Sequence, residues 1–129
     1  MIKRRFFAVA MCVFTFLCLL AIQSYGADEK EYSKGSLNYV VLEDNTLKIT
    51  KYHGEEKNYT IPSEIGGKIV TVIGRYAFMQ AGKLEKLVIP GSIKEIEEQG
   101  IEECYALKTI IINKGKLKSI YNTSIENCH

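Results

Sequence analysis

The segment Leu84–Ile112, LEKLVIPGSIKEIEEQGIEECYALKTIII, repeats its own apolar pattern and decides how the chain folds. Eight pairs of apolar or small residues in and just before it are 23 positions apart: Val70 and Ile93, Ile73 and Ile96, Ala77 and Gly100, Phe78 and Ile101, Ala81 and Cys104, Leu84 and Leu107, Leu87 and Ile110, Ile89 and Ile112. Four later pairs are 24 apart: Ile96 and Ile120, Gly100 and Ser124, Ile101 and Ile125, Cys104 and Cys128. The turn Lys114-Gly115-Lys116 takes up the extra residue. Charged residues fall between the matched positions, so the chain consists of similar coils.

A repeat in the low twenties is the length of leucine-rich repeats. One such coil cannot bury its own apolar face, whereas stacked coils cover one another at a spacing of about 4.8 Å. Leu87 and Ile89, two positions apart, predict a short inward-facing strand that pairs in parallel with its equivalent in the next coil. The alternative is a helix across 93–107, which Gly100 disfavours by about 1 kcal/mol. The pattern therefore predicts a mainly β and irregular repeat fold, a short leucine-rich-repeat solenoid.

The residues before the first coil follow a different pattern. Residues 37–42 and 46–52 predict two strands joined by a turn at 43–45. Because a solenoid needs a cover over its first apolar layer, we predict that 37–58 is an N-terminal capping β-hairpin. Residues 59–129 are then leucine-rich repeats, two full coils and an incomplete third, and the polar segment 27–36 predicts a flexible leader. The apolar face of the incomplete coil predicts weak self-association through the C-terminal end.

The first 26 residues have the three-part layout of a secretory signal peptide. Lys3, Arg4 and Arg5 precede an uncharged run at 6–22, and Ser24 and Gly26 place small residues where signal peptidase requires them. We predict cleavage after Gly26 and a secreted or cell-surface location. The alternative is an uncleaved anchor, through which alone the protein would contact a membrane. The apolar run is shorter than the roughly 20 residues that a spanning helix needs.

The charge of the chain excludes one class of function. Of 17 basic and 15 acidic residues, three basic ones belong to the predicted signal peptide, so the remainder has 14 basic and 15 acidic residues, a net charge of −1. The two signs are interspersed. This pattern differs from the basic patch of a nucleic-acid-binding protein, and we predict no nucleic-acid partner.

Few residues could carry chemistry. After removal of the signal peptide, Cys104 and Cys128 occupy equivalent positions in adjacent coils, which leaves two alternatives, a disulfide or a stacked pair of buried thiols. A cysteine–histidine catalytic pair is not predicted, because His53 lies at the other end of the stack and His129 is the last residue. We predict no enzyme activity, no cofactor and no metal site. The acidic residues between 95 and 103 could attract a cation or a basic partner, and the alternative is a hydrated face balanced by neighbouring lysines.

The outward side of the predicted strands is the candidate partner-binding surface, because solenoids usually recognise partners through their strand ladder. If Leu87 and Ile89 point inward, their neighbours point outward. The candidate residues are Thr60, Lys86, Val88, Thr109 and Ile111. The alternative is an ordinary β-branched strand surface without a partner.

The coil pattern resembles the BspA-type leucine-rich-repeat family of bacterial surface proteins. The resemblance lies in the order of Ile61-Pro62, Ile65-Gly66, Ile73-Gly74 and Ala77-Phe78, followed by Cys104 and Leu107, and covers about 37–129. Departures from the family pattern are Ala81 at a usual cysteine, Gly100-Ile101 and Ser124-Ile125 in place of Ala-Phe, and Asn113 in place of proline.

The resemblance implies a secreted or cell-surface module for adhesion that binds a protein or a glycan without catalysis. The alternative hypothesis is a truncated remnant or accessory fragment of a longer repeat protein, without independent activity.

Overall fold

The computed structural model describes residues 29–121 and 124–128; the predicted signal peptide lies outside them. Across the described ranges the chain forms twelve β-strands and no helix. The strands are β1 Tyr32–Lys34, β2 Leu37–Val41, β3 Leu47–Tyr52, β4 Asn58–Thr60, β5 Glu64–Ile65, β6 Lys68–Ile73, β7 Lys86–Ile89, β8 Glu95–Ile96, β9 Ile101–Glu102, β10 Thr109–Ile112, β11 Ser119–Ile120 and β12 Ile125–Glu126. The helix considered for 93–107 is absent, and β8 and β9 take its place. No helix in the described part is long and apolar enough to span a membrane.

The strands stack into three ladders, one on each side of the coils. The front ladder consists of β4, β7 and β10, the back ladder of β3, β6, β8 and β11, and the side ladder of β9 and β12. All strand pairs inside these ladders are parallel. The predicted leucine-rich-repeat solenoid is confirmed.

The predicted offsets between coils are confirmed by the strand register. Ile89 pairs with Ile112 in the front ladder, 23 positions apart. Ile96 pairs with Ile120 in the back ladder and Ile101 with Ile125 in the side ladder, both 24 positions apart. The change from 23 to 24 falls at the turn after β10, where the Lys116 amide donates to the Gly91 carbonyl oxygen at 2.9 Å. Residues 113–116 therefore hold the extra residue without breaking the stack.

The N-terminal cap is an antiparallel hairpin of β2 and β3, as predicted, with a bulge between Asn38 and Tyr39. Its second strand, β3, pairs in parallel with β6 and so joins the cap to the first coil. Leu47 and Ile49 on β3 are fully buried against the coil. The hairpin thereby covers the first apolar layer of the solenoid.

Part of the segment that was predicted as a flexible leader, 27–36, forms a strand, and residues 27 and 28 lie outside the described residues. Tyr32–Lys34 forms strand β1, which pairs antiparallel with β2. The Tyr32 and Tyr39 rings also stack, with centroids 5.8 Å apart. The three residues are exposed and show no apolar alternation, so the sequence pattern does not reveal the strand. An edge strand can be held by backbone hydrogen bonds to its neighbour without burying a side chain.

One buried apolar cluster runs from the cap through the second coil, from Leu37 to Leu107. Phe78 lies near its middle with 0% of its surface exposed. The third coil differs. Ile112, which the pattern placed inside, is in register with buried Ile89 but is 42% exposed. The described chain has no further coil over this position, so the inward-facing row ends in solvent.

Candidate binding surface

The front ladder brings the predicted partner-binding residues into two straight rows. Its register aligns Thr60, Val88 and Ile111 in one row. A second row two positions earlier holds Asn58, Lys86 and Thr109. Val88 and Lys86, on the central strand, are half-buried, whereas the residues of the flanking strands are exposed. The result is a flat patch of short or β-branched side chains, with Lys86 as its central charge.

The patch rests on a buried apolar base. Leu87 on the central strand faces inward and is fully buried. Tyr59 on β4 faces the same way, and its ring lies 4.7 Å from the Tyr52 ring and 6.4 Å from the Phe78 ring between centroids. Burial raises the pKa of the Tyr59 hydroxyl. The ring contact with Tyr52 joins β4 to the cap, and backbone pairing joins β4 to β7. The first strand of the ladder is therefore held both by the cap and by its neighbouring strand.

A charged row borders the patch. The Glu85 carboxylate pairs with the Lys57 ammonium at 3.0 Å on one side and with the Lys108 ammonium at 3.3 Å on the other. The hydrogen bond from Lys57, followed by that from Lys108, lowers the pKa of Glu85. Such exposed pairs are worth little in stability individually. They orient three charges in line along one edge of the front ladder.

The strand register aligns Thr60, Val88 and Ile111 as the sequence indicated, and their role in binding stays a prediction. Asn58 and the charged row beside them were not among the candidate residues. Glu85 and Lys108 are 23 positions apart, so the repeat length alone predicts that this pair of opposite charges lies side by side in adjacent coils. Asn58 and Lys57 belong to the first coil, which lies 28 positions from the second here, since Thr60 pairs with Val88. The extra residues form the β5–β6 hairpin, where Ile65 pairs with Lys68. This local insertion hides the first coil from a search at constant period.

Cys104 and Cys128 occupy equivalent places beside the side ladder. The Cys104 thiol donates to the Phe78 carbonyl oxygen at 2.9 Å, and the Cys128 thiol approaches the Glu126 carbonyl oxygen at 3.3 Å. Both are free thiols, Cys104 buried and Cys128 half-buried. Burial raises the pKa of the Cys104 thiol to about 11, which disfavours the reactive thiolate. The choice between a bridge and stacked thiols under oxidising conditions stays a prediction.

Among the described residues, the one histidine lies in the cap and not in the coils that hold the two cysteines. His53 lies in the cap, where its amide donates to the Ser36 carbonyl oxygen at 3.0 Å, and its side chain is exposed. His129 lies outside the described residues. In residues 29–121 and 124–128, no three histidine, cysteine or acidic side chains are grouped in a way that could hold a metal ion.

The acidic residues between 95 and 103 connect coils. A shallow groove of about 260 Å³ on the back side is lined by Arg75, Glu95, Glu97, Glu98 and Tyr121. Glu97 accepts hydrogen bonds from the Arg75 amide at 2.9 Å and from the Lys48 ammonium at 3.3 Å, and Glu98 lies 3.7 Å from the Arg75 guanidinium. Two of the three carboxylates are thus engaged with the cap and first coil, and their role here is structural.

A second cleft, of about 430 Å³, lies where the cap meets the first coil. It is lined by residues 34–37 together with Glu56, Tyr59, Pro62, Glu64 and Ile65. The Glu56 carboxylate is held there by the Tyr52 hydroxyl at 2.7 Å and the Ser36 hydroxyl at 2.9 Å. These bonds tie the connection between β3 and β4 to the cap hairpin.

Stacked parallel coils of 23 or 24 residues, closed at the N-terminal end by a hairpin, define the chain as a leucine-rich-repeat solenoid protein. The family profile described as "BspA type Leucine rich repeat region (6 copies)" matches residues 28–129. The chain belongs to this family. Leucine-rich-repeat proteins of this kind are repeat modules for binding or adhesion, and they are typically non-catalytic.

Solved structures give the same fold. A leucine-rich cell surface protein from Faecalibacterium prausnitzii is similar with a TM-score of 0.64 and 30% identity, over 69% of this chain and 26% of that protein. A leucine-rich-repeat protein from Treponema pallidum, TpLRR, matches with a TM-score of 0.59 and 26% identity, over 64% of this chain and 39% of that one. The pneumococcal vaccine antigen PcpA matches with a TM-score of 0.59 and 22% identity, over 78% and 31% of the two chains. The chain thus spans about a quarter to two fifths of these proteins. No curated protein sequence matches it significantly.

Proposed function

We propose that this chain is a secreted or cell-surface module that binds a protein partner, without catalysis, through the outward face of the front ladder. The observation that carries the proposal is the alignment of Thr60, Val88 and Ile111 in one row beside Asn58, Lys86 and Thr109. A partly apolar strand ladder is a surface that solenoids commonly offer to a partner. The membership in the family and the cell-surface protein of F. prausnitzii support the location.

The composition of the patch favours a protein over a glycan. Val88 and Ile111 supply an apolar centre, and the charged row of Lys57, Glu85 and Lys108 supplies a polar rim. An apolar centre with a polar rim is the usual anatomy of a protein interface. None of the six residues in the two rows is aromatic, so the patch lacks the ring platforms on which sugars stack.

The proposal is tested with protein and glycan probes. The full chain is expressed with its own N-terminal segment and collected as the cell releases it. It is then passed over immobilised protein extracts of host matrix and of bacterial surfaces, and over a glycan array. We expect release into the medium, a mature N-terminus at Ala27, and retention by at least one protein probe. Val88→Glu should reduce that affinity at least tenfold, because a charge would replace the apolar centre.

Ile69→Glu is the matched control. Ile69 is also a β-branched residue on a strand, 48% exposed, but it lies on β6 outside the front ladder. It should leave binding unchanged. The proposal is wrong if none of the protein probes is retained, or if Val88→Glu and Ile69→Glu bind equally well.

A further inference from the structure

The second row of the front ladder, which we call the polar row, consists of Asn58, Lys86 and Thr109. The strand register places Asn58 on one side of Lys86 and Thr109 on the other. Neighbouring strands of a sheet lie about 4.8 Å apart, so the three side chains leave the sheet side by side. An amide, an ammonium and a hydroxyl can each donate a hydrogen bond. The polar row is therefore a line of donors with a positive charge at its centre.

The donors of the polar row are not used inside the described part of the molecule. None of its side-chain hydrogen bonds and ion pairs includes the side chain of Asn58, Lys86 or Thr109. Asn58 and Thr109 are exposed, and Lys86 is half-buried. All three side chains can therefore bond to another molecule without giving up a bond within the chain.

The front ladder is positively charged, although the chain without its predicted signal peptide has a net charge of −1. The three strands of the ladder and the residue directly before each strand hold three lysines and one acidic residue, a net charge of +2. The acidic residue is Glu85, which pairs with both Lys57 and Lys108. Lys86 is the lysine that is left without a counter-charge. A positive surface of this kind favours a partner that is negative at the contact.

The position of Lys86 makes a counter-charge necessary once the ladder is covered. Lys86 lies on the central strand, two positions before Val88, the apolar centre of the patch. Two positions along a strand are about 7 Å, so a partner that covers Val88 also removes water from the Lys86 ammonium. A charge that loses its water is stabilised only when an opposite charge and hydrogen bonds replace that water. The partner must therefore carry a negative group opposite Lys86.

We propose that the polar row is a subsite for a carboxylate, and that the protein partner places an aspartate or glutamate side chain there. The inference rests on the proposed function, because it names what the same surface recognises in its partner. An ionised carboxylate has two oxygens that only accept hydrogen bonds, so one group can bond to the Lys86 ammonium and to a flanking donor together. The apolar row beside it favours a protein carboxylate over the sulfate of a glycan, since a protein can supply an apolar side chain to Val88 at the same time.

Binding of the full chain to immobilised poly-L-glutamate tests the subsite, and chondroitin sulfate is the sulfated glycan for comparison. The measurement is made at an ionic strength of about 0.05 M, where exposed charges are screened least. We expect tighter binding to poly-L-glutamate than to chondroitin sulfate. Lys86→Gln should weaken binding to poly-L-glutamate about fivefold or more, whereas Lys86→Arg, which keeps the charge, should stay within about twofold of the parent.

Lys51→Gln is the matched control. Lys51 is also a lysine on a strand, is exposed and belongs to none of the ion pairs of the described residues, but it lies on β3 of the cap. The substitution removes the same charge and should leave binding unchanged. Circular dichroism checks that all variants remain folded. Equal binding of poly-L-glutamate by Lys86→Gln and Lys51→Gln overturns the inference, and so does tighter binding to chondroitin sulfate that depends on Lys86.

The proteins retained in the test of the proposed function separate the two proposals. Lys86→Gln should reduce their retention, and soluble poly-L-glutamate should displace them from the parent chain. Retention that falls with Val88→Glu but not with Lys86→Gln overturns the carboxylate subsite and leaves the front-ladder proposal standing. Retention of no protein at all overturns the front-ladder proposal and, with it, the carboxylate of a protein partner.

Discussion

At the scale of single residues, Glu56 shows how the connection from the cap to the first coil is held in place. One carboxylate oxygen accepts from the Tyr52 hydroxyl at 2.7 Å and the other from the Ser36 hydroxyl at 2.9 Å. The bond from Tyr52 is the main reason that the pKa of Glu56 lies below its usual value. The Tyr52 ring in turn stacks on Phe78 with centroids 5.0 Å apart. The ionised carboxylate thus links the surface of the cap to the core.

This arrangement predicts a pH dependence of stability. Since the pKa of Glu56 is lowered in the folded state, its contribution is complete above the pKa of an unfolded glutamate, about 4.3, and is lost as the pH falls through the folded pKa. Glu56→Gln should therefore lose stability relative to the parent above about pH 5, and the difference should shrink in more acidic solution. Urea midpoints measured in a series of buffers check this.

Glu64→Gln serves as the control for Glu56→Gln, because Glu64 lines the same cleft without taking part in the hydrogen bonds to Tyr52 and Ser36. Its difference from the parent should vary less with pH. A constant difference for Glu56→Gln across the acidic range would contradict the assigned hydrogen bonds.

Other single residues could not have been predicted from the pattern. Tyr76, Gln80, Gln99 and Glu103 all have positive φ, between 54° and 60°. A left-handed conformation costs a residue with a Cβ about 1–2 kcal/mol, and glycine or asparagine is the usual choice. Here the corners are held by bonds between coils, such as the Tyr76 amide to the Gln99 carbonyl oxygen at 3.1 Å. Tertiary contacts decide these conformations, so no local motif marks them.

At the scale of elements, the turns after the front ladder are packed backbone against backbone. A Cβ added at Gly115 would overlap the carbonyl oxygen and the Cα of Gly91 in the coil before. The overlapped atoms belong to the backbone and cannot rotate away, unlike a flexible side chain. Two glycines in adjacent coils are therefore required for the coils to approach at this corner.

Gly115→Ala should for this reason destabilise the protein by about 1–3 kcal/mol, the usual range for forcing atoms into a packed site. Gly82→Ala is the matched control, since the nearest atom to its added Cβ is the Gln80 carbonyl oxygen at 3.9 Å, and it should change stability by less than about 0.5 kcal/mol. Urea unfolding followed by circular dichroism measures both. Equal effects would show that the turn can shift, and that the close approach of Gly91 and Gly115 is not required.

The elements that were predicted well are those with a repeating apolar pattern. β7 and β10 follow from Leu87, Ile89 and their partners at 23 positions, and the cap hairpin follows from its alternation. β1 and the β5–β6 hairpin were not predicted, because Tyr32–Lys34 is polar and Gly66-Gly67 interrupts the pattern with a turn at positive φ. The register of the front ladder follows from the same pattern, whereas the positions of Lys57 and Asn58 do not, because the insertion displaces them from the period of 23.

At the scale of the whole molecule, the solenoid has one core and no boundary between cap and coils. Strand β3 belongs to the cap hairpin and to the back ladder at once, through Ile49 paired with Ile73. Long repeat arrays can unfold one repeat at a time, because each repeat contacts only its neighbours. In this short stack, every described coil touches the same buried cluster. We therefore expect a single cooperative transition.

Phe78 is the residue on which this cooperativity should be tested. It is fully buried and touches both Tyr52 of the cap and Tyr59 of the front ladder. Phe78→Ala should cost about 3–5 kcal/mol, a large part of the 5–15 kcal/mol that stabilises an ordinary domain. Met79→Ala, one position further along and 38% exposed, should cost less than about 1 kcal/mol.

Urea unfolding is followed by circular dichroism for the strands and by tyrosine fluorescence for the aromatic cluster. Because Phe78 connects the cap with the coils, both probes should shift together by the same amount. Separate shifts would mean that the cap and the coils unfold as independent units.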